Sequence, residues 1–205
     1  MKTENDNWSG SREIHLMDFI NCPLCYHTNF ISMVLFIVGS TFFIFDLLYV
    51  TGCIIFAIAS AMCLYSNVIG AHTIGSENKK EFYGYINYSL GCFIFVIGSI
   101  YSCFKDDALS VKLFIFGSTA FLVGSLCFVY RISYRQIKSM DWKVLLVYIV
   151  NILGSILFTI ASFLYFYPQF YNYASYLYIE GSILFTLGTW FDYIIYINSN
   201  TILPN

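Results

Sequence analysis

Charge is what this 205-residue sequence has least of: Asp, Glu, Lys and Arg together make up 11% of it, where a soluble domain carries about 25%. That excludes an ordinary water-facing surface, and a formal net charge of −2 gives no sign of a nucleic-acid partner. Proline is scarcer still, with three residues. None interrupts a long apolar run, because Pro23 and Pro204 lie outside them and Pro168 falls at the end of one. The three histidines all stand at or beyond the edges of these runs. Also missing are the signatures of soluble catalysis: a P-loop, a Gly-x-Ser-x-Gly elbow and a His-Glu-x-x-His helix. The expectation is a protein that is not an enzyme and needs no cofactor. Cysteine is odd in number, at seven, which implies no disulfide framework. Cys53, Cys63, Cys92, Cys103 and Cys127 sit in or at the ends of apolar segments and read as small buried hydrophobes.

What is present is apolar. Hydrophobic residues make up 59% of the chain and aromatics 20%, and the mean hydropathy is +0.70. Six apolar segments run over 29–47, 51–70, 85–104, 111–131, 144–167 and 174–197. Each is near or above the length of about 20 residues that crosses a bilayer core. In lipid the backbone must satisfy its own hydrogen bonds, so such segments are helices. The alternating polarity of a membrane barrel is absent. The predicted fold is an all-α integral membrane protein of six transmembrane helices, arranged as three tandem helical hairpins with short loops. Its expected parts are a polar cytoplasmic lead (1–28), hairpins at 29–70, 85–131 and 144–197, and a cytoplasmic tail (198–205). The lead has no apolar core of a cleavable signal peptide, so the first span is expected to direct insertion. Within it, Ile14–Ile20 has the apolar spacing of a short interfacial helix.

One short pattern recurs in every segment. Gly91–Ser99, GCFIFVIGS, reduces to small-x3-Phe-x2-small-hydroxyl, and copies begin at Ser32, Gly52, Gly91, Gly117, Gly154 and Gly181. The aromatic members are Phe36, Phe56, Phe95, Phe121, Phe158 and Phe185, and the hydroxyl members Ser40, Ser60, Ser99, Ser125, Ser162 and Thr189. Copies within a pair are offset by 20, 26 and 27 residues and those between pairs by 39 and 37. This short–long alternation is the mark of a triplicated two-helix unit. At about 100° per residue the four positions share one stripe of the helix. Small residues let membrane helices approach closely, hydroxyls bond across, and Phe fills the groove a glycine leaves. Gly39, Gly52, Gly91, Gly98, Gly117, Gly124, Gly154, Gly181 and Gly188 are therefore expected to be helix-packing positions, in preference to the lining of a pore.

The basic residues divide unevenly. Lys2, Arg12, Lys79, Lys80, Arg131, Arg135, Lys138 and Lys143 fall on one side of a six-span arrangement, and Lys105 and Lys112 on the other. The bias puts both termini in the cytoplasm, in a plasma membrane or an endomembrane alike. Tyr165, Tyr167, Tyr171, Tyr173, Tyr176 and Tyr178 would form an interfacial belt on the far side. The loop RISYRQIKSMDWK is explained by topology, and its cations would also attract anionic lipid headgroups.

The pattern, above all in NILGSILFTIASFLYF and GSILFTLGTWF, resembles the YrhK domain, a two-helix membrane module, here in three tandem copies. The resemblance implies helical hairpins in a membrane. It implies no catalytic residue, since the family has none established.

Two groups of side chains could carry more than packing. Asp46, Glu180 and Asp192 lie in or near the spans, where an ionisable residue is a functional candidate by default. Asp46 falls close to a turn. Glu180 and Asp192 lie about 18 Å apart along one helix and about 120° apart around it, so they do not share a face. Asn87 and Asn151 are candidate partners for them. The second group is Cys22-Pro-Leu-Cys25 with His15 and His27. Its spacing fits lipidation of a membrane-proximal thiol better than a zinc site. The function expected first is structural or interaction-based, with membrane lipids, a second copy or another membrane protein as partners. The alternative is a channel or transporter for a small ion or solute using Glu180 and Asp192.

Overall fold

The computed structural model describes residues 23–74, 79–104, 107–130, 132 and 134–201. Apart from short turns the described residues are helical, with no strand among them: α1 (Pro23–Phe42), α2 (Tyr49–Ile74), α3 (Lys79–Cys103), α4 (Asp107–Val129), α5 (Tyr134–Ser139), α6 (Trp142–Leu164) and α7 (Tyr171–Thr201). Five helices are long and apolar enough to cross a membrane: α1, α2, α3, α4 and α6. The sixth expected span, α7, is the longest helix at 31 residues. Its tyrosines, asparagines, Glu180 and Asp192 keep its hydropathy below that of the other five. Boundaries also differ from those read in the sequence. α1 begins six residues before the expected 29, with Pro23 at its first position, where the missing N–H costs nothing and the ring presets the helical φ. α7 runs on to Thr201, into the expected tail. The basic loop contains α5, and Asp141 caps α6 by accepting a hydrogen bond from the Lys143 N–H at 3.0 Å.

The six long helices close into a ring. α1 packs on α7 and α2, α3 on α2 and α4, and α6 on α4 and α7. All 24 positions of the six template copies are buried inside this single chain. Within each hairpin two glycines face one another so closely that a side chain on one would strike the backbone of the other. A Cβ on Gly39 would lie 3.2 Å from the Gly52 carbonyl oxygen, one on Gly91 would lie 2.9 Å from that of Gly117, and one on Gly154 3.1 Å from that of Gly181. Gly98 meets the Phe114 ring, Gly124 the Gly84 carbonyl oxygen and Gly188 the Asn151 amide. Between hairpins the seams are polar. Ser125 and Ser155 lie 2.8 Å apart and Ser162 donates to Ser118 at 3.2 Å across α4 and α6. Ser40 and Ser182 pair at 3.4 Å across α1 and α7. On the α2–α3 seam cysteines take these places, Cys92 beside Cys63 and Cys53 beside Cys103.

The connections in the first and third hairpins have one design. Phe45 and Tyr167 are extended (φ −109°, ψ 113° and φ −117°, ψ 105°), and each leads into a single 3-10 turn, Asp46–Leu48 or Pro168–Phe170, before the next helix. Aligned on these turns, Phe158 and Tyr178 occupy the places of Phe36 and Phe56, each pair being 122 residues apart. The motif-based alignment pairs Phe56 with Phe185 instead. The second helix of the first hairpin is thus one heptad out of phase with its motif, a slip that a seven-residue spacing of small positions accommodates.

Candidate functional site

Registering the hairpins by their turns sorts the ring interior into layers. Six aromatic side chains, one per long helix, meet at a single depth: Phe36, Phe56, Phe95, Phe114, Phe158 and Tyr178, all buried. Their centroids form a closed circuit, Phe36–Phe56 at 4.7 Å, Phe56–Phe95 at 5.5 Å, Phe95–Phe114 at 5.6 Å, Phe114–Tyr178 at 6.4 Å, Tyr178–Phe158 at 4.8 Å and Phe158–Phe36 at 6.3 Å. Phe56 also reaches Phe158 at 6.4 Å and Tyr178 at 5.8 Å, which fills the centre. Several pairs are edge-to-face, the arrangement that the ring quadrupole favours. The layer is a plug across the ring. Tyr178, expected in an interfacial belt, instead turns inward and shares a hydrogen bond of 2.6 Å with Ser162. Tyr167, Tyr173 and Tyr176 are exposed. Tyr178→Phe removes a hydroxyl that Ser162 can replace with the Phe158 carbonyl at 2.8 Å. It should therefore lower stability by only about 1 kcal/mol in detergent unfolding.

A cavity lies on each side of the plug. On the side of the hairpin turns is a vestibule of about 610 Å³, lined by Asp46, Tyr49, Ser110, Phe114, Tyr165 and Tyr171 among others. On the other side is a smaller cavity of about 40 Å³, room for a few waters at most. Every long helix contributes to it: Asn29 and Met33 from α1, Cys63 and Asn67 from α2, Tyr88 from α3, Phe121 from α4, Asn151 from α6, and Phe185, Thr189 and Asp192 from α7. Asn29, Tyr88 and Asn151 occupy equivalent places, each seven residues before its plug phenylalanine. One heptad deeper than the plug on the second helices come Cys63, Phe121 and Phe185. The template phenylalanines of α4 and α7 thus line this cavity, while those of the other four long helices build the plug.

The two carboxylates proposed as a pair separate. Asp192 is 2% exposed and lines the inner cavity. Glu180 is exposed on the outside of the ring and lines neither cavity. Asp46 is exposed at the vestibule. Of the two asparagines named as candidate partners, Asn151 reaches the cavity, whereas Asn87 donates to the Tyr83 carbonyl of its own helix at 2.8 Å. Asn29 and Asn67 were not singled out by the sequence reading. Their signal was there, a polar residue inside an apolar segment on the face of a plug position, seven residues before Phe36 for Asn29 and eleven after Phe56 for Asn67. Cys25 is buried at the start of α1 and His27 is exposed. Cys22, His15 and the Ile14–Ile20 stretch lie outside the described residues. No group of three or more His, Cys, Asp or Glu that could hold a metal occurs among the described residues.

No curated protein and no solved structure matches the chain. Residues 144–196, which form the third hairpin and carry Asn151, Phe158, Tyr178 and Asp192, match the family model for YrhK-like proteins.

Proposed function

We propose that this chain is a six-span integral membrane protein, built from three YrhK-like hairpins, that encloses a path for a small ion or solute. One observation carries the reading: a cavity whose mostly apolar wall carries Asn29, Asn67, Asn151, Thr189 and Asp192, and a wide vestibule, lie within a closed ring and are separated by a single aromatic layer. A protein whose helices served only to pack would have no need of three asparagines and a carboxylate around an interior space, since buried polar groups are costly in a membrane. The small/Phe stripes, expected from sequence to pack helices against each other or against a second copy, are buried within the ring and are not available to a second copy.

Other features support the membrane setting and the third span pair. The outward positions are large and apolar, including Ile31, Ile54, Ile58, Leu90, Phe116, Ile160 and Leu187, a surface suited to lipid and not to water. α7 carries its polar Tyr178, Ser182, Thr189 and Asp192 inward and closes the ring through α1 and α6. Lys79, Lys138 and Lys143 stand at the end of the inner cavity, which the basic-residue bias places in the cytoplasm. Glu180 has no part in the path.

The full chain, reconstituted in liposomes loaded with a panel of small ions and neutral solutes, should release at least one of them faster than protein-free vesicles. Identical release across the panel, from both the native chain and a variant with a weakened plug, would overturn the reading.

A further inference from the structure

The vestibule has the lining of a binding site, and because binding can be read without flux, that site stands apart from the conduit reading. Its described wall holds six aromatic side chains, Phe43, Tyr49, Phe114, Tyr165, Phe166 and Tyr171, and a single charged one, Asp46. In the register set by the turns, Phe43 pairs with Tyr165, Asp46 with Pro168 and Tyr49 with Tyr171, each 122 residues apart. The first and third hairpins thus contribute matching aromatic walls, and of the two only the first contributes a charge. We propose that the vestibule is a binding site for an organic monocation, an alkyl- or arylammonium with an apolar body, held by the tyrosine rings and countered by the Asp46 carboxylate.

The rings meet at angles that make a cup. Tyr49 and Tyr171 lie 6.4 Å apart between centroids and are inclined by 49°, and Tyr171 and Tyr165 lie 5.1 Å apart and are inclined by 62°. Phe43 continues the wall 5.7 Å from Tyr49. All three tyrosines are half-buried, and the Tyr165 hydroxyl shares a hydrogen bond of 3.0 Å with Ser175. Rings so inclined enclose a space with faces as well as edges, and the faces carry the negative end of the ring quadrupole. They suit an alkylated ammonium better than a compact metal ion with tightly held water. Asp46 is exposed at the start of its 3-10 turn, where solutes reach it. The described lining has no Lys, Arg or His, and Lys112 of α4 is exposed without being part of it. Between α3 and α4 the sequence Lys105-Asp106-Asp107 sets one cation against two carboxylates, which does not reverse this balance. An anion is therefore disfavoured. A volume of about 610 Å³ is far larger than a bare ion needs and falls within the range of about 300–1,000 Å³ that small organic ligands occupy.

The test uses the purified full-length protein in a neutral detergent and reads thermal unfolding against rising benzyltrimethylammonium, with sodium chloride holding the ionic strength constant. A ligand that binds only the folded state raises the unfolding temperature as its concentration rises. Benzyltrimethylammonium should do so, and benzyl alcohol and benzoate should not. Asp46→Asn, at an exposed position, should unfold like the native chain without ligand and weaken the apparent affinity by at least about tenfold. Tyr171→Leu should weaken it as much, whereas Tyr171→Phe keeps the ring and should stay within about threefold of native. Asp46→Asn keeps the test decisive if Tyr171→Leu does not fold. No shift, an equal shift with benzyl alcohol or benzoate, or undiminished affinity in either weakened variant would overturn the site. Choline should bind more tightly than phosphocholine, and the reverse order would assign the vestibule to a lipid headgroup and overturn a free cation as its occupant. Binding of the expected order with no release from liposomes keeps the site and retires the conduit.

Discussion

Phe56→Ala should make the ring leak, with release from reconstituted liposomes at least about tenfold faster than with the native chain, a change equivalent to about 1.4 kcal/mol off the barrier. Phe56 is the plug member that lies against all the others: Phe36, Phe95, Phe114, Phe158 and Tyr178 stand 4.7 to 6.4 Å away. Its removal leaves a void at the centre of the layer that separates the two cavities. An apolar constriction blocks ions by excluding water, and widening it by a ring's width lets water through. The substitution also costs about 3–5 kcal/mol of packing, as large aromatic truncations in cores do. Phe114→Ala, at the vestibule face of the same layer, is therefore the companion variant, with a smaller leak expected. Phe56→Leu should keep the seal. Phe93→Ala removes a ring that is 52% exposed on the outside of α3 and should change neither leak nor stability appreciably.

Gly181→Leu should prevent the third hairpin from closing. A Cβ alone would lie 2.5 Å from Phe158 Cδ1 and 3.1 Å from the Gly154 carbonyl oxygen. The first contact is with a plug ring that is itself hemmed in, and the second is with backbone, so neither neighbour can give way cheaply. Leucine adds three further carbons. Overpacking of this kind costs about 1–3 kcal/mol and more when backbone must move, and here it separates two helices that share the length of the ring. The variant should lose most of its cooperative unfolding transition in detergent. Ile183→Leu, two residues on and at an exposed position, should unfold like the native chain. A folded Gly181→Leu protein with unchanged stability would show that the glycine contact is not what holds α6 to α7.

The faces of the helices were legible because a stripe of small residues, Phe and hydroxyls is a local property of each segment. Two things were not. The first was register. A motif with small positions seven residues apart matches itself after a slip of one heptad, so Phe121 and Phe185 resembled Phe95 and Phe158 while standing a layer deeper. Only the turns, where Phe45 and Tyr167 adopt the same backbone, fix the phase. The second was closure. That α1 meets α7 depends on the angles between hairpins, and no segment records them. The site suffered most from this. The 120° between Glu180 and Asp192 was readable and rightly separated their faces, but which of the two faces inward depends on where the neighbouring helices lie. Asn29 and Asn67 lie far apart in sequence, and what joins them to Asp192 is the closed ring.

The reciprocal glycine contacts have a consequence for stoichiometry. Three hairpins with the same internal contact, closed head to tail, are the arrangement that a cyclic trimer of single hairpins would form. In such a trimer each position on the axis would be present in triplicate. A carboxylate at the depth of Asp192 would face two others, and three like charges at one depth cannot all stay ionised. Joined in one chain, the hairpins are free to differ. The places equivalent to Asp192 are Gly70 in the first hairpin and Phe128 in the second. Fusion of the three units into one polypeptide is what allows this depth of the ring to carry one carboxylate instead of three.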